Sequence, residues 1–70
     1  MTPQECLGRL ELLGFTSIVQ ALREQPGNAD ALSDAATLLS LLYLRSGSDQ
    51  VVEAWIMLAD YELAVMAETN

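Results

Sequence analysis

Between two long stretches patterned for helix, residues 46–49 read Ser-Gly-Ser-Asp. Glycine closes a helix in the left-handed conformation that strains other residues, and serine or aspartate opens one by accepting hydrogen bonds from its free amides. Gly47 is therefore placed as a helix stop and Ser48 or Asp49 as a helix start, while Arg45 sits where a cation complements the preceding helix dipole. So short a connection makes the two helices run antiparallel as an αα-hairpin. That constraint sets the expected fold class: all-α, a small antiparallel helical hairpin or a bundle of three to four helices, in one domain spanning 1–70.

The first helix of the hairpin is predicted from about Ala29 to Ser46. Gln25-Pro26-Gly27-Asn28 marks its upstream boundary, because proline disfavours helix at the residue before it and glycine supplies an unusual turn geometry. Asn28 or Asp30 is then available as the cap. Ala31, Leu32, Ala35, Leu38, Leu39, Leu42 and Tyr43 make one broad apolar face, and Ser33, Asp34, Thr37 and Ser40 the opposite one. At roughly 100° per residue, Leu41 and Leu44 fall among the polar positions, which suggests a second buried contact.

Upstream of Gln25, Thr2-Pro3 is a good helix opening, with a capping hydroxyl and a proline tolerated at the first helical position. Leu7, Leu10, Leu12 and Leu13 are expected on one side of that helix. Gly14 and Phe15-Thr16-Ser17 then suggest a kink or a break, after which Ile18, Val19, Ala21 and Leu22 resume helical spacing. One bent helix and two short ones both fit this pattern.

The final helix, predicted from about Asp49 to Ala67, has an unusually wide apolar arc. Val52, Trp55, Ile56, Ala59, Leu63 and Met66 form one side; Val51, Leu58 and Val65, spaced by sevens, extend it, leaving a narrow polar stripe at Gln50, Glu53 and Asp60. A helix apolar over more than half its circumference needs neighbours on two sides. In a chain of 70 residues the second neighbour is expected to be another chain. Trp55 fits equally as a core residue of the hairpin or as an interface anchor, since buried aromatics dominate interface energetics. Glu62 projects into the apolar arc beside Trp55, Leu58 and Met66. It therefore either reaches solvent at a rim or makes a charge-assisted bond to Arg9, Arg23 or a partner's arginine.

Size and composition bound the function. A chain this short buries only about 60% of its unfolded surface, and its 51% hydrophobic content is too high for a disordered acidic tail. Three arginines, no lysine, no histidine and ten carboxylates give a formal net charge of -7. That balance argues against direct binding to nucleic acid or anionic lipid, which depends on cations neutralising phosphates. It is compatible with a basic partner surface and with plain solubility.

The lone Cys6 has no partner for an internal disulfide, and the first ten residues lack a signal-peptide pattern, so a cytoplasmic location is expected. No membrane span is expected either, since the apolar run Leu41 to Leu44 is far short of the ~20 residues a span needs.

Chemistry is poorly supplied. One cysteine and no histidine cannot assemble a usual transition-metal set, and SGSDQ lacks the alternating oxygen ligands and closing glutamate of a calcium loop. Cys6 and the serines have no histidine to activate them, no lysine can form a Schiff base, and the GxxxxGK[ST] phosphate cradle is missing. The chain is expected to be a non-enzyme with no metal and no cofactor.

Leu39, Ser40, Tyr43, Gly47, Ile56 and Ala59 follow the leucine, small, tyrosine, glycine, large apolar, alanine spacing of one tetratricopeptide-like repeat, and the chain resembles that family. Ile18, Ala21, Leu22 and Pro26-Gly27-Asn28-Ala29 look like the end of a preceding repeat and its linker. Val52 departs from the pattern's usual alanine, Ala64 stands at its closing proline, and the helix ending at Ser46 is about a turn too long. The resemblance implies a protein-binding scaffold, similar to the tetratricopeptide-like members of the small bacterial secretion chaperones.

The leading expectation is an interaction module, a small acidic chaperone, adaptor or inhibitor, that binds another protein through Leu41, Leu44, Trp55, Leu58, Glu62 and Met66. Two others stand beside it. One is an acidic phage-type antagonist of a basic nucleic-acid-binding or regulatory protein, using pairs such as Asp30 with Asp34 and Glu53 with Asp60. The other is a self-associating structural subunit, in which the final helix meets its own copy about a two-fold axis.

Overall fold

A computed structural model describes residues 2–69. Met1 and Asn70, which the expected domain of 1–70 includes, lie outside the described residues. Four helices follow one another: α1 (Pro3–Leu12), α2 (Thr16–Glu24), α3 (Ala29–Ser46) and α4 (Asp49–Thr69). Among the described residues there is no strand, and the chain is a small all-α bundle.

The helix ends follow local chemistry. Thr2 caps α1, its Oγ1 accepting the Glu5 N–H at 3.2 Å, and Pro3 takes the first helical position. Residues 2–25 hold two helices, not one: α1 stops, Gly14 turns at φ 97°, and α2 begins at Thr16. Asn28 caps α3, its Oδ1 accepting from the amides of Asp30 at 2.8 Å and Ala31 at 3.1 Å. Gly47 closes α3 in the left-handed region, φ 59° and ψ 24°, and its N–H donates to the Tyr43 carbonyl at 2.7 Å. Ser48 Oγ then accepts the Gln50 N–H at 3.2 Å, which starts α4. Ser46, Gly47 and Ser48 of the SGSD loop thus use their polar groups in ending one helix and beginning the next.

α4 packs against α1 on one flank and α3 on the other, and α2 closes the circuit between α1 and α3. Its 21 residues, rising about 1.5 Å each, run most of the molecule's 36 Å long axis. The Cα radius of gyration, 11.3 Å, matches the roughly 11 Å of a compact chain this length, so no helix stands away from the bundle.

One core joins all four helices: Cys6, Leu7 and Leu10 from α1, Ile18, Val19 and Leu22 from α2, Ala35 and Leu39 from α3, and Val51, Ala54, Leu58 and Tyr61 from α4. Tyr61 is the largest side chain that is fully enclosed. One expectation for the N-terminal half needs correction. Leu12 is 89% exposed, because α1 turns its Cys6–Leu10 stripe inward and Leu12 lies some 200° around from Leu10 at 100° per residue. Ala21 is likewise exposed, on the outer side of α2 from Val19 and Leu22.

Among the described residues no helix is long and apolar enough to cross a membrane.

Candidate functional site

The inward stripe of α4 is Val51, Ala54, Leu58 and Tyr61, with Met57 and Val65 half-buried beside it. Steps of three and four residues keep this stripe on one line of a helix with 3.6 residues per turn. It differs from the side on which the sequence pattern centred the apolar arc. Val52, Trp55, Ile56, Ala59, Leu63 and Met66 all face outward, with Ile56 at 53%, Leu63 at 63% and Met66 at 53% exposure. The extension through Val51 and Leu58 is what enters the core.

This reversal sorts the proposed contact residues. Leu58, at 5% exposure, belongs to the core and has no surface to offer, which corrects its assignment to a binding face. It shares the line of Val51 and Tyr61, at spacings of seven and three. Trp55 keeps 37% of its surface and sits at the margin where the buried stripe gives way to the outer face. Leu41, Leu44, Glu62 and Met66 are all exposed, Leu44 as much as 80%. The second contact suggested for Leu41 and Leu44 is not made within this chain.

On α3, Leu38 borders a cleft toward α2 with Ala21 and Asp34, whereas Leu32, Ser33 and Ala36 border one toward α4. Leu38, Leu41 and Leu44, each about 60° further round at 100° per residue, step across the outside of α3 from the α2 side toward the α4 side. Leu44 and Val52 stand three residues before and five residues after Gly47, on either side of the turn that joins α3 to α4.

Glu62 is exposed and makes no ion pair with Arg9 or Arg23. Arg23 instead meets Glu11, Nη2 to Oε2, at 3.2 Å between α2 and α1. The internal bond suggested for Glu62 is thereby corrected, and its carboxylate lies at the rim. It borders a cleft of about 400 Å³ between the first half of α3 and the last third of α4, with Leu32, Ala36, Val65 and Met66. On the opposite flank, Glu53, Ile56 and Met57 face Arg9 and Leu12 of α1 and the following Leu13 across a second cleft of about 560 Å³. Gln50 Nε2 donates to the Leu13 carbonyl at the end of that cleft, joining the start of α4 to the end of α1.

Charge is unevenly spread around this face. α4 carries Asp49, Glu53, Asp60, Glu62 and Glu68 and no lysine or arginine; the chain's arginines lie at 9, 23 and 45, on the other helices. Among the described residues, no group of three His, Cys, Asp or Glu side chains could hold a metal ion. Cys6, fully enclosed between α1 and its neighbours, is a packed thiol whose ionisation burial opposes, pushing it up, with the nearby Asp60 charge adding to the shift.

Sequence reasoning missed Tyr61 and Cys6 as core residues. The available signal for both was spacing: Tyr61 follows Val51, Ala54 and Leu58, and Cys6 precedes Leu10 by four. Compared with protein-family models, with curated proteins and with solved structures, the chain gives no significant match.

Proposed function

We propose that this chain is a non-enzymatic protein-interaction module, a small acidic chaperone, adaptor or inhibitor, which covers a partner with the outer face of α4 together with Leu41 and Leu44 of α3. The observation that carries the reading is the outward row Val52, Trp55, Ile56, Ala59, Leu63 and Met66 on a helix already packed through its other side. Single exposed apolar residues are ordinary, but a row of them along one helix is the kind of patch that marks interaction surfaces.

The absence of an equipped nucleophile supports the non-enzymatic part. The one thiol is enclosed, and the sequence has no histidine or lysine. The tetratricopeptide-like reading belongs to the same proposal. It is supported by the hairpin of α3 and α4, closed at Gly47 as that repeat pattern requires, and it would make the chain a scaffold of the secretion-chaperone kind. A cytosolic setting fits a buried thiol with no disulfide.

The test substitutes exposed residues only: Ile56→Ser with Leu63→Ser, each on the outer face. Both proteins are used as bait in extracts of the source cell, and the co-purifying chain is identified. A partner held by the parent and lost by the variant, at unchanged helix content, supports the reading; the same partner held equally by both removes it.

A second reading, the acidic antagonist, is favoured by one observation: Glu24, Asp30 and Asp34 border the same cleft between α2 and α3. Binding through that site would weaken steeply with salt and survive the α4 substitutions.

A further inference from the structure

Resting on the proposed docking face, we infer that its occupant is an amphipathic helix of another protein whose apolar stripe is flanked by arginine or lysine, with one such cation entering the α3–α4 cleft against Glu62. The apolar row on α4 runs from Val52 to Met66, or about 21 Å at 1.5 Å per residue, which matches some four turns of a partner helix. The row is edged by carboxylates: Glu53 on the α1 side and Glu62 on the α3 side.

No cation within α4 offsets them; Arg9 of α1 borders the cleft beside Glu53 and Arg23 is engaged with Glu11, so the α3-side carboxylate, Glu62, is the one left for a partner's cation. A helix with uncharged flanks would leave Glu62 at its edge partly desolvated and without a cation, which costs free energy.

The same argument weighs against a second copy of this chain. Two α4 faces meeting about a two-fold axis would oppose acid to acid, with no lysine or arginine on either helix to separate them. It weighs equally against an anionic membrane surface, which attracts cationic helices. The cleft beside Glu62 gives the cation its place. Leu32, Ala36 and Met66 offer an apolar bed for an aliphatic stem, and the exposed carboxylate receives the head at its edge. Arginine suits the position better than lysine, since its planar fork matches a carboxylate.

The experiment uses the full chain and a synthetic helix-forming peptide without tryptophan, striped with leucine and flanked by arginine, beside a twin in which every arginine is glutamine. Trp55 is the only tryptophan and reports occupancy through its emission. The arginine peptide is expected to bind about tenfold or more tightly than its twin at low salt, and to lose most of that advantage by about 0.5 M salt, where screening is nearly complete. Glu62→Gln, at an exposed position, should weaken the arginine peptide about fivefold and leave the twin unchanged.

Equal binding of the two peptides, both lost in the Ile56→Ser, Leu63→Ser variant, overturns the cation inference and leaves the docking face standing. Binding of neither peptide, with Trp55 emission unmoved, removes the face as well. Three further results also overturn the inference: arginine-peptide binding that survives the double substitution, dimer formation that buries Trp55 instead, or uptake by vesicles containing anionic lipid.

Discussion

Val65 Cγ1 lies 3.2 Å from the point where a β-carbon on Gly27 would sit, at a turn where Gly27 holds φ at +72°. Two separate costs therefore await Gly27→Ala. The left-handed conformation costs a residue with a β-carbon about 1–2 kcal/mol, and the methyl group must in addition displace the Val65 branch. Gly47→Ala, at φ +59° with nothing within 4 Å of the added carbon, carries the first cost alone. Gly27→Ala should therefore lower the unfolding midpoint further than Gly47→Ala in thermal or urea denaturation. In a double-mutant cycle with Val65→Ala the two changes should be less than additive, because the smaller side chain removes the contact. Strict additivity would show that the contact is relieved without cost.

Tyr61 and Trp55 are both large aromatics on α4, six residues apart, and they should behave oppositely. Tyr61 retains 1% of its surface and Trp55 37%. Removing a fully enclosed aromatic typically costs about 3–5 kcal/mol, much of what so small a domain possesses. Tyr61→Ala should thus be largely unfolded by circular dichroism at about 37 °C. Trp55→Ala, at a side chain that keeps 37% of its surface, should lose about 2–3 kcal/mol in proportion to the area it buries and stay the more folded of the two. A folded Tyr61→Ala or an unfolded Trp55→Ala would reverse the assignment of core and outer face.

Cys6 makes stability depend on alkaline pH. Burial, then the Asp60 charge, raises its ionisation above that of a free thiol, so the folded chain holds the thiol proton more tightly than the unfolded one. The resulting stability is fully present below the ordinary thiol value of about 8.5. It is lost as pH rises through that value toward the higher one of the folded state. As pH rises above about 8.5, the parent should lose more stability than Cys6→Ala, in which this proton is absent. Parallel pH profiles would contradict the burial of the thiol. A thiol-specific reagent should likewise react with the parent only at the rate of its opening, and faster in urea.

Much of this architecture is legible locally. Thr2-Pro3, Asn28, Gly47 and Ser48 end or begin helices through bonds within a few residues of themselves, so their roles can be read from neighbours in the chain. The all-α hairpin follows from them. Which side of α4 turns inward is a different kind of fact. With apolar residues on most of its circumference, α4 satisfies its period in either orientation. The choice is made by α1 and α3 arriving at particular angles: they cover Val51, Ala54, Leu58 and Tyr61 and leave Val52, Ile56 and Leu63 uncovered. The same limit explains Leu12, which shares a leucine-rich run with Leu10 but not its direction. Of the proposed binding residues, Leu41 and Leu44 fall among the polar positions of α3 by projection. Glu62, Met66 and Leu58 all fall within the apolar arc of α4, and only what packs on Leu58 separates it from the two that are exposed.

Asn28 gives a prediction about α3 that is independent of its packing. Its Oδ1 accepts from two amides, Asp30 and Ala31, whereas Thr2 at the start of α1 accepts from one, Glu5, at 3.2 Å. Cap removal typically costs about 1 kcal/mol, within a range of roughly 0.5–2, and α3 supports both α2 and α4. Asn28→Ala should therefore lower the thermal midpoint by about 4–8 °C, the usual shift per kcal/mol in a chain of this size. Asn28→Asp, which keeps an acceptor and places a negative charge at the positive end of the helix dipole, should restore most of the loss. Thr2→Ala should cost less than Asn28→Ala. Urea denaturation checks the series, with an unchanged m-value showing that the substitutions alter stability and leave the extent of unfolding as it was. An Asn28→Ala midpoint equal to the parent's would mean that the α3 amides find water as good a partner as the side chain.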